Sequence, residues 1–145
     1  MQIAPPTISR VMLRLLSTSF TVAMLCSLLP GPVIGQDSDE RIIVVIETTM
    51  GSIRIGIDTL RAPITTANFL RYVKSGFYNN LIFHRVMENF VIQSGGFDVG
   101  LVKKTPGPPI INESYNGLSN LRGTIAMART PAPDSATSQY CPDDL

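Results

Sequence analysis

Arg41-Ile-Ile-Val-Val-Ile-Glu47 and Ser52-Ile-Arg-Ile-Gly-Ile-Asp58, joined by Thr48-Thr-Met-Gly51, decide the class of fold. The second run alternates Ile53, Ile55 and Ile57 with Ser52, Arg54, Gly56 and Asp58, a period of two that puts one face of a strand on a core and the other in water. The first run is almost wholly apolar and β-branched, which predicts a strand well inside a sheet. Together they read as a β-hairpin.

Downstream of the hairpin, Pro63 pre-sets a helical start and Ile64 to Lys74 carries Ala67, Leu70 and Val73 at spacings of three, with Phe69 beside them and Gly76 just beyond. Proline in the first turn and glycine past the last residue match the asymmetry of helix ends, so this segment is a helix of about three turns. Short apolar runs follow at Leu81-Ile-Phe-His-Arg-Val86 and Phe90-Val-Ile-Gln93, then a long irregular stretch from Gly95-Gly96 through Pro106-Gly-Pro-Pro109, and a last strand signal at Gly123-Thr-Ile-Ala-Met-Ala128. Many short strands around one helix predict a mainly β fold, a barrel or sandwich with one or two accessory helices.

Upstream, residues 1–35 differ in kind. Arg10 and Arg14 precede the apolar run Leu15 to Leu29, followed by Pro30-Gly31-Pro32 and small residues ending at Gly35. This order is that of a secretory signal peptide cleaved near Gly35. The alternative is an uncleaved membrane anchor formed by residues 15–29, although that run is shorter than the roughly 20 apolar residues a spanning helix needs. Cys26 follows Leu25, where a lipidation site would have a small residue. Residues 36–40 are then an acidic linker and residues 41–145 the exported domain, periplasmic or secreted.

The composition narrows the chemistry. Twelve Lys and Arg face eleven Asp and Glu, and two of the twelve, Arg10 and Arg14, lie in the leader, so the remainder is slightly acidic. Nothing there tracks phosphates, and nucleic acid is not an expected partner. Past the leader only Cys141 remains, which leaves no intramolecular disulfide to form. His84 is the single histidine, which argues against a zinc site, and no metal or cofactor is expected. Gly95 to Gly100 has phosphate-loop spacing, but Leu101-Val102 stand where Lys and Ser or Thr belong. Asn112-Glu113-Ser114 has the form of a glycosylation sequon.

Two blocks carry a specific identification: Phe83-His84-Arg85-Val86-Met87-Glu88-Asn89-Phe90-Val91-Ile92-Gln93, and Asn120-Leu121-Arg122-Gly123-Thr124-Ile125-Ala126-Met127-Ala128-Arg129 continuing to Asp134-Ser135-Ala136-Thr137-Ser138-Gln139. Both resemble the cyclophilins, as do Glu47-Thr-Thr-Met-Gly51, Ala67-Asn-Phe-Leu70 and Gly76-Phe-Tyr78, and the resemblance runs unbroken to Gln139. It implies a closed eight-stranded barrel, peptidyl-prolyl cis-trans isomerase activity, proline-containing polypeptides as partners, cyclosporin-like ligands, no cofactor and a monomer.

The resemblance also implies the site. Arg85 matches the family's catalytic arginine. Phe90 and Val91 would line the proline pocket, Val91 where methionine is common. Gln93 would hold Arg85 or the substrate backbone. Ala128, Arg129 and Thr130 correspond to the edge that pairs with substrate, with Arg129 where some relatives have asparagine, and Gln139 is a second substrate-contacting glutamine. His84 is expected as a hydrogen-bonding residue beside the site, since twisting an amide needs no proton transfer. On composition alone Arg85 is a solvent-facing charge and Phe90 a core residue; the motif gives them their roles.

After Gln139 the pattern departs. Cys141 stands for the phenylalanine that floors the proline pocket, and Pro142 cannot donate to a ladder in a central strand. The domain is expected to lack about its last third. Beside the isomerase, two readings therefore stay open: a non-catalytic binder of proline peptides, and a non-functional fragment.

Overall fold

The computed structural model describes residues 7–14 and 42–143, with only the backbone of residues 9 and 12–14 in the first segment. The hairpin forms as the alternation predicts. Strands β2 (Ile42–Thr48) and β3 (Gly51–Ile57) pair antiparallel from Ile42 opposite Ile57 to Thr48 opposite Gly51. The Thr48 hydroxyl closes the turn by donating to Gly51 O at 2.7 Å and accepting from Met50 N at 3.0 Å. Gly51 has φ of 128°, a conformation that favours glycine. Ile55 and Ile57 are buried while Ser52, Arg54 and Gly56 face solvent, and the apolar run of β2 is buried at Val44, Val45 and Ile46.

Strand β2 is interior because a further strand covers its other edge. Strand β1 (Thr7–Arg14) runs antiparallel to β2, with Arg10 opposite Glu47 and Arg14 opposite Ile43 and an irregularity between Ile8 and Arg10. Its start also pairs with β4 (Leu81–Ile82), giving the sheet order β3-β2-β1-β4. These eight residues belong to the stretch read from sequence as the front of an export leader. The apolar run 15–29, the cleavage point near Gly35, Cys26 and the linker 36–40 lie outside the described residues.

Helix α1 (Pro63–Lys74) begins at its proline and ends at Ser75, ahead of Gly76 with φ of 68°. Ala62 at the N-cap has no side chain to offer the first turn, and no acidic residue stands in that turn. Glu113 from the long loop does both jobs: its carboxylate accepts from Ile64 N at 3.0 Å and Thr65 N at 2.7 Å. The buried stripe is Thr66, Phe69, Leu70 and Val73. Ala67, expected to lie on it, is exposed, because a stripe centred on Phe69, Leu70 and Val73 leaves position 67 past its edge.

The stretch read as one strand from Leu81 to Val86 is two. Strand β4 stops at Ile82, and β5 (Arg85–Met87) starts after Phe83 and His84 to pair with β6 (Val91–Gln93) in a second sheet. Phe83 is buried at this crossing between sheets. Strand β7 (Ile125–Met127) pairs with β8 (Tyr140–Pro142). Pro142 is accommodated opposite Ile125, since the bonds of that ladder are made on either side of it, from Ala128 N to Gln139 O and from Asp143 N to Thr124 O, each at 2.9 Å. Its nitrogen then faces β6. There the contact consists only of bridges Ser94 to Tyr140 and Val91 to Asp143, with no ladder between them.

The described strands thus form three sheets and not the closed barrel that the resemblance implied. Between β3, α1 and the β7-β8 pair lies an open cleft of about 420 Å³, lined by Ile55, Ile57, Phe69, Ile125 and Met127. The core below it centres on Phe69, Tyr78 and Tyr140, whose rings sit 5.2 to 5.4 Å apart.

Candidate active site

The second sheet positions the candidate residues. Arg85 and Gln93 are cross-strand partners of β5 and β6, so their side chains share a face. Arg85 is exposed; its Nη1 donates to Gln93 Oε1 at 3.3 Å and its Nη2 to Met87 Sδ at 2.8 Å. Gln93 passes the line on, its Nε2 donating to Gln139 Oε1 at 2.7 Å. Met87 was missed from sequence, although the period of two places 85 and 87 on one face.

Gly95 and Gly96 let the chain before β8 come this close. A Cβ on Gly95, whose φ is 88°, would stand 2.5 Å from Ser138 O, and one on Gly96 would stand 2.6 Å from Gln139 Nε2. Ser94 and Tyr140 exchange backbone bonds of 3.0 and 3.1 Å just beyond. These contacts seat Gln139 against Gln93.

His84 packs on Phe97 with ring centroids 4.7 Å apart, and its Nδ1 is buried with no hydrogen-bond partner among the described residues. Burial holds its imidazole below the usual 6.5, aided by the Arg85 charge and opposed by bonds to Gln139 and Ile82. It is therefore a neutral ring at pH 7, braced against the hub of the site.

The remaining candidates divide. Phe90 is 58% exposed beyond Asn89 with φ of 57°, and its N–H donates to Met87 O at 3.2 Å, so Phe90 and the exposed Met87 make an apolar flank at the β5-β6 turn, while Val86 points to the other face of β5. Val91 is buried at 4% exposure, so it supports the sheet from inside and is not at the surface where a pocket residue was expected. Ala128 donates its N–H to Gln139 O at 2.9 Å, which ties the strand edge to the hub. Arg129 and Thr130 are exposed further along; Arg129 Nη1 reaches Thr130 O at 3.2 Å, and Thr130 N donates to the Ser135 hydroxyl at 2.9 Å. Cys141 is half-buried, its thiol pushed up by burial and by Asp143 with Arg85 opposing.

An exposed guanidinium aimed by a glutamine pair, beside an apolar flank and a strand edge, can meet an extended peptide that carries both an apolar ring and a backbone amide. The model of the family described as "Cyclophilin type peptidyl-prolyl cis-trans isomerase/CLD" matches residues 43–141, and the chain belongs to that family. It is 53% identical over 98 residues to peptidyl-prolyl cis-trans isomerase B of Escherichia coli K12, covering 68% of this chain and 60% of that protein. It is 52% identical over 97 residues to peptidyl-prolyl cis-trans isomerase A of Dickeya dadantii, covering 67% and 51%. The chain therefore spans between half and three-fifths of the length of these relatives. Among solved structures, a cyclophilin type isomerase of Cryptosporidium parvum, crystallised in the presence of the dipeptide Ala-Pro, superposes with a TM-score of 0.63 at 30% identity, covering 70% of this chain and 67% of that one.

Proposed function

We propose that the chain catalyses cis-trans isomerisation of Xaa-Pro bonds in other polypeptides, with Arg85 as the catalytic residue. The observation that carries this is the line from Arg85 through Gln93 to Gln139 on an exposed face. Amide resonance sets a barrier of about 18–20 kcal/mol, so an unassisted prolyl bond takes tens to hundreds of seconds to turn. As the bond twists, resonance is lost and the prolyl nitrogen pyramidalises and gains a lone pair. A guanidinium N–H directed at that lone pair stabilises only the twisted state, which is differential binding of the transition state. Gln93 holds the guanidinium in place, Phe90 supplies apolar surface to the ring, and the backbone near Ala128 to Thr130 pairs with the substrate. No proton moves, consistent with a neutral His84.

The substrates we propose are exported proteins during folding, because the sequence of residues 1–35 has the order of a secretory leader. The test is prolyl isomerisation of a Xaa-Pro peptide by the full chain and by Arg85→Ala. Acceleration by the first, reduced about a hundredfold in the second as for loss of one preorganised donor, supports the reading; a folded chain that gives no acceleration sinks it. A second reading, a binder of proline peptides without catalysis, is favoured by Cys141, a small side chain where the family places the aromatic floor. Affinity for Xaa-Pro peptides with no rate enhancement would establish it.

A further inference from the structure

Strand β1 lies outside the family match, which begins at residue 43. Yet it sits in the middle of the largest sheet, with β2 along one edge and β4 at the other. Ile8 is fully buried and Val11 is 7% exposed, and both belong to the core cluster with Val44, Ile46 and Leu81. Backbone bonds fasten it further: Ile8 O accepts from Asn80 N at 2.8 Å and Thr7 O from Thr49 N at 3.1 Å. Val11 N donates to the Asn79 side chain at 3.3 Å. Withdrawing this strand would leave β2 and β4 with bare edges and carry Val44 and Ile46 toward water.

The same residues include Arg10 and Arg14, the positive flank of the leader read from sequence. A leader must be presented as accessible chain to the export machinery, and a strand bonded on both edges is not accessible. We propose that folding and export compete for Thr7–Arg14. A chain that folds first seats β1 and keeps its leader; a chain whose leader is engaged first loses β1 with it, and the slot between β2 and β4 is left open. This inference rests on the export reading above.

The test uses the full chain with Met12→Cys and Val45→Cys, which leaves Arg10 and Arg14 of the leader in place, in a background of Cys26→Ser and Cys141→Ser. Positions 12 and 45 are cross-strand partners, and antiparallel partners lie about 4.5–5.5 Å apart at Cα, within disulfide reach. Folded and oxidised protein, folded and reduced protein, and reduced protein freshly diluted from urea are each offered to membrane vesicles bearing the secretory translocase and leader peptidase. The disulfide is expected to form on folding. Leader removal is expected to be at least tenfold faster from the urea-diluted chain than from the folded reduced chain, and absent from the oxidised one. Failure of the disulfide to form overturns the seated strand. A disulfide with equal rates in all three overturns the competition and leaves export standing. No cleavage even after urea overturns the export reading and the competition with it.

Discussion

Gln93 and Gln139 face each other across the gap between β6 and the segment entering β8, with Nε2 of Gln93 donating to Oε1 of Gln139 at 2.7 Å. Because the other end of the Gln93 amide accepts from Arg85 at 3.3 Å, the direction of one bond fixes the direction of the other. Gln139 therefore sets how the guanidinium is held although it does not touch it.

Gln139→Leu is expected to lower kcat for prolyl isomerisation roughly two- to twelvefold, the loss that follows from about 0.5–1.5 kcal/mol for one net hydrogen bond. Gln139→Glu keeps the acceptor for Gln93 and should recover most of that loss. Equal loss in both variants, with unchanged melting temperature, would remove Gln139 from the positioning role.

Much of this arrangement could be read from residue order, and the reason is locality. The alternation of β3 needs only neighbours in sequence, as do the proline and glycine at the ends of α1. Strand β1 could not be read so, because Ile8 and Val11 among Arg10 and Arg14 are equally a leader flank; what makes them a strand is pairing with residues far along the chain. The break at Phe83-His84 was hidden for the same reason, since a run of apolar residues does not say that its two halves join different sheets. At the site, Arg85, Gln93 and Gln139 were legible as motif positions. That Val91 faces inward, and that Met87 and Gly96 share in holding the line, follow from packing that no motif records.

His84 gives stability a dependence on pH. Burial holds its folded-state value below the ordinary 6.5, so between those values the unfolded chain binds more protons than the folded one. The stabilisation from keeping this ring neutral is fully present above about pH 6.5 and is lost as pH falls through the folded-state value. Melting temperature measured from pH 7.5 down to 5 should decline in the wild type, and His84→Gln should flatten that decline, because this chain has no other histidine. Parallel curves would assign the decline to other groups.

Glu113 is the remote cap of α1. Burial alone would raise its carboxyl, but the bonds from Thr65 N and Ile64 N outweigh that and hold it below the ordinary 4.5. Its contribution is thus present above that pH and lost as pH falls through the folded value. Glu113→Ala should cost about 1 kcal/mol in urea unfolding at pH 7, as for loss of a helix cap. The same variant should cost markedly less at pH 3. A pH-independent difference would mean that Glu113 acts through packing and not through its charge.

Two buried tyrosines with rings 5.2 Å apart should respond in opposite ways to the same deletion. Tyr78 donates its hydroxyl to Ser138 O at 2.9 Å in the interior. Tyr140 Oη makes no direct hydrogen bond among the described residues; the hydroxyl of Ser94, its neighbour across the bridge, donates to Ile82 O at 2.8 Å and keeps its lone pairs as the nearest acceptor. Burial pushes both phenols above their ordinary value, so each stays neutral at working pH. Removing the Tyr78 hydroxyl deprives a buried carbonyl of a donor and should destabilise by about 1–2 kcal/mol. Removing the Tyr140 hydroxyl takes away a polar group that burial leaves unpaired, so Tyr140→Phe should be neutral or stabilising. Urea unfolding of the two single variants separates these cases. Equal losses would mean that Tyr140 donates to the Ser94 hydroxyl oxygen.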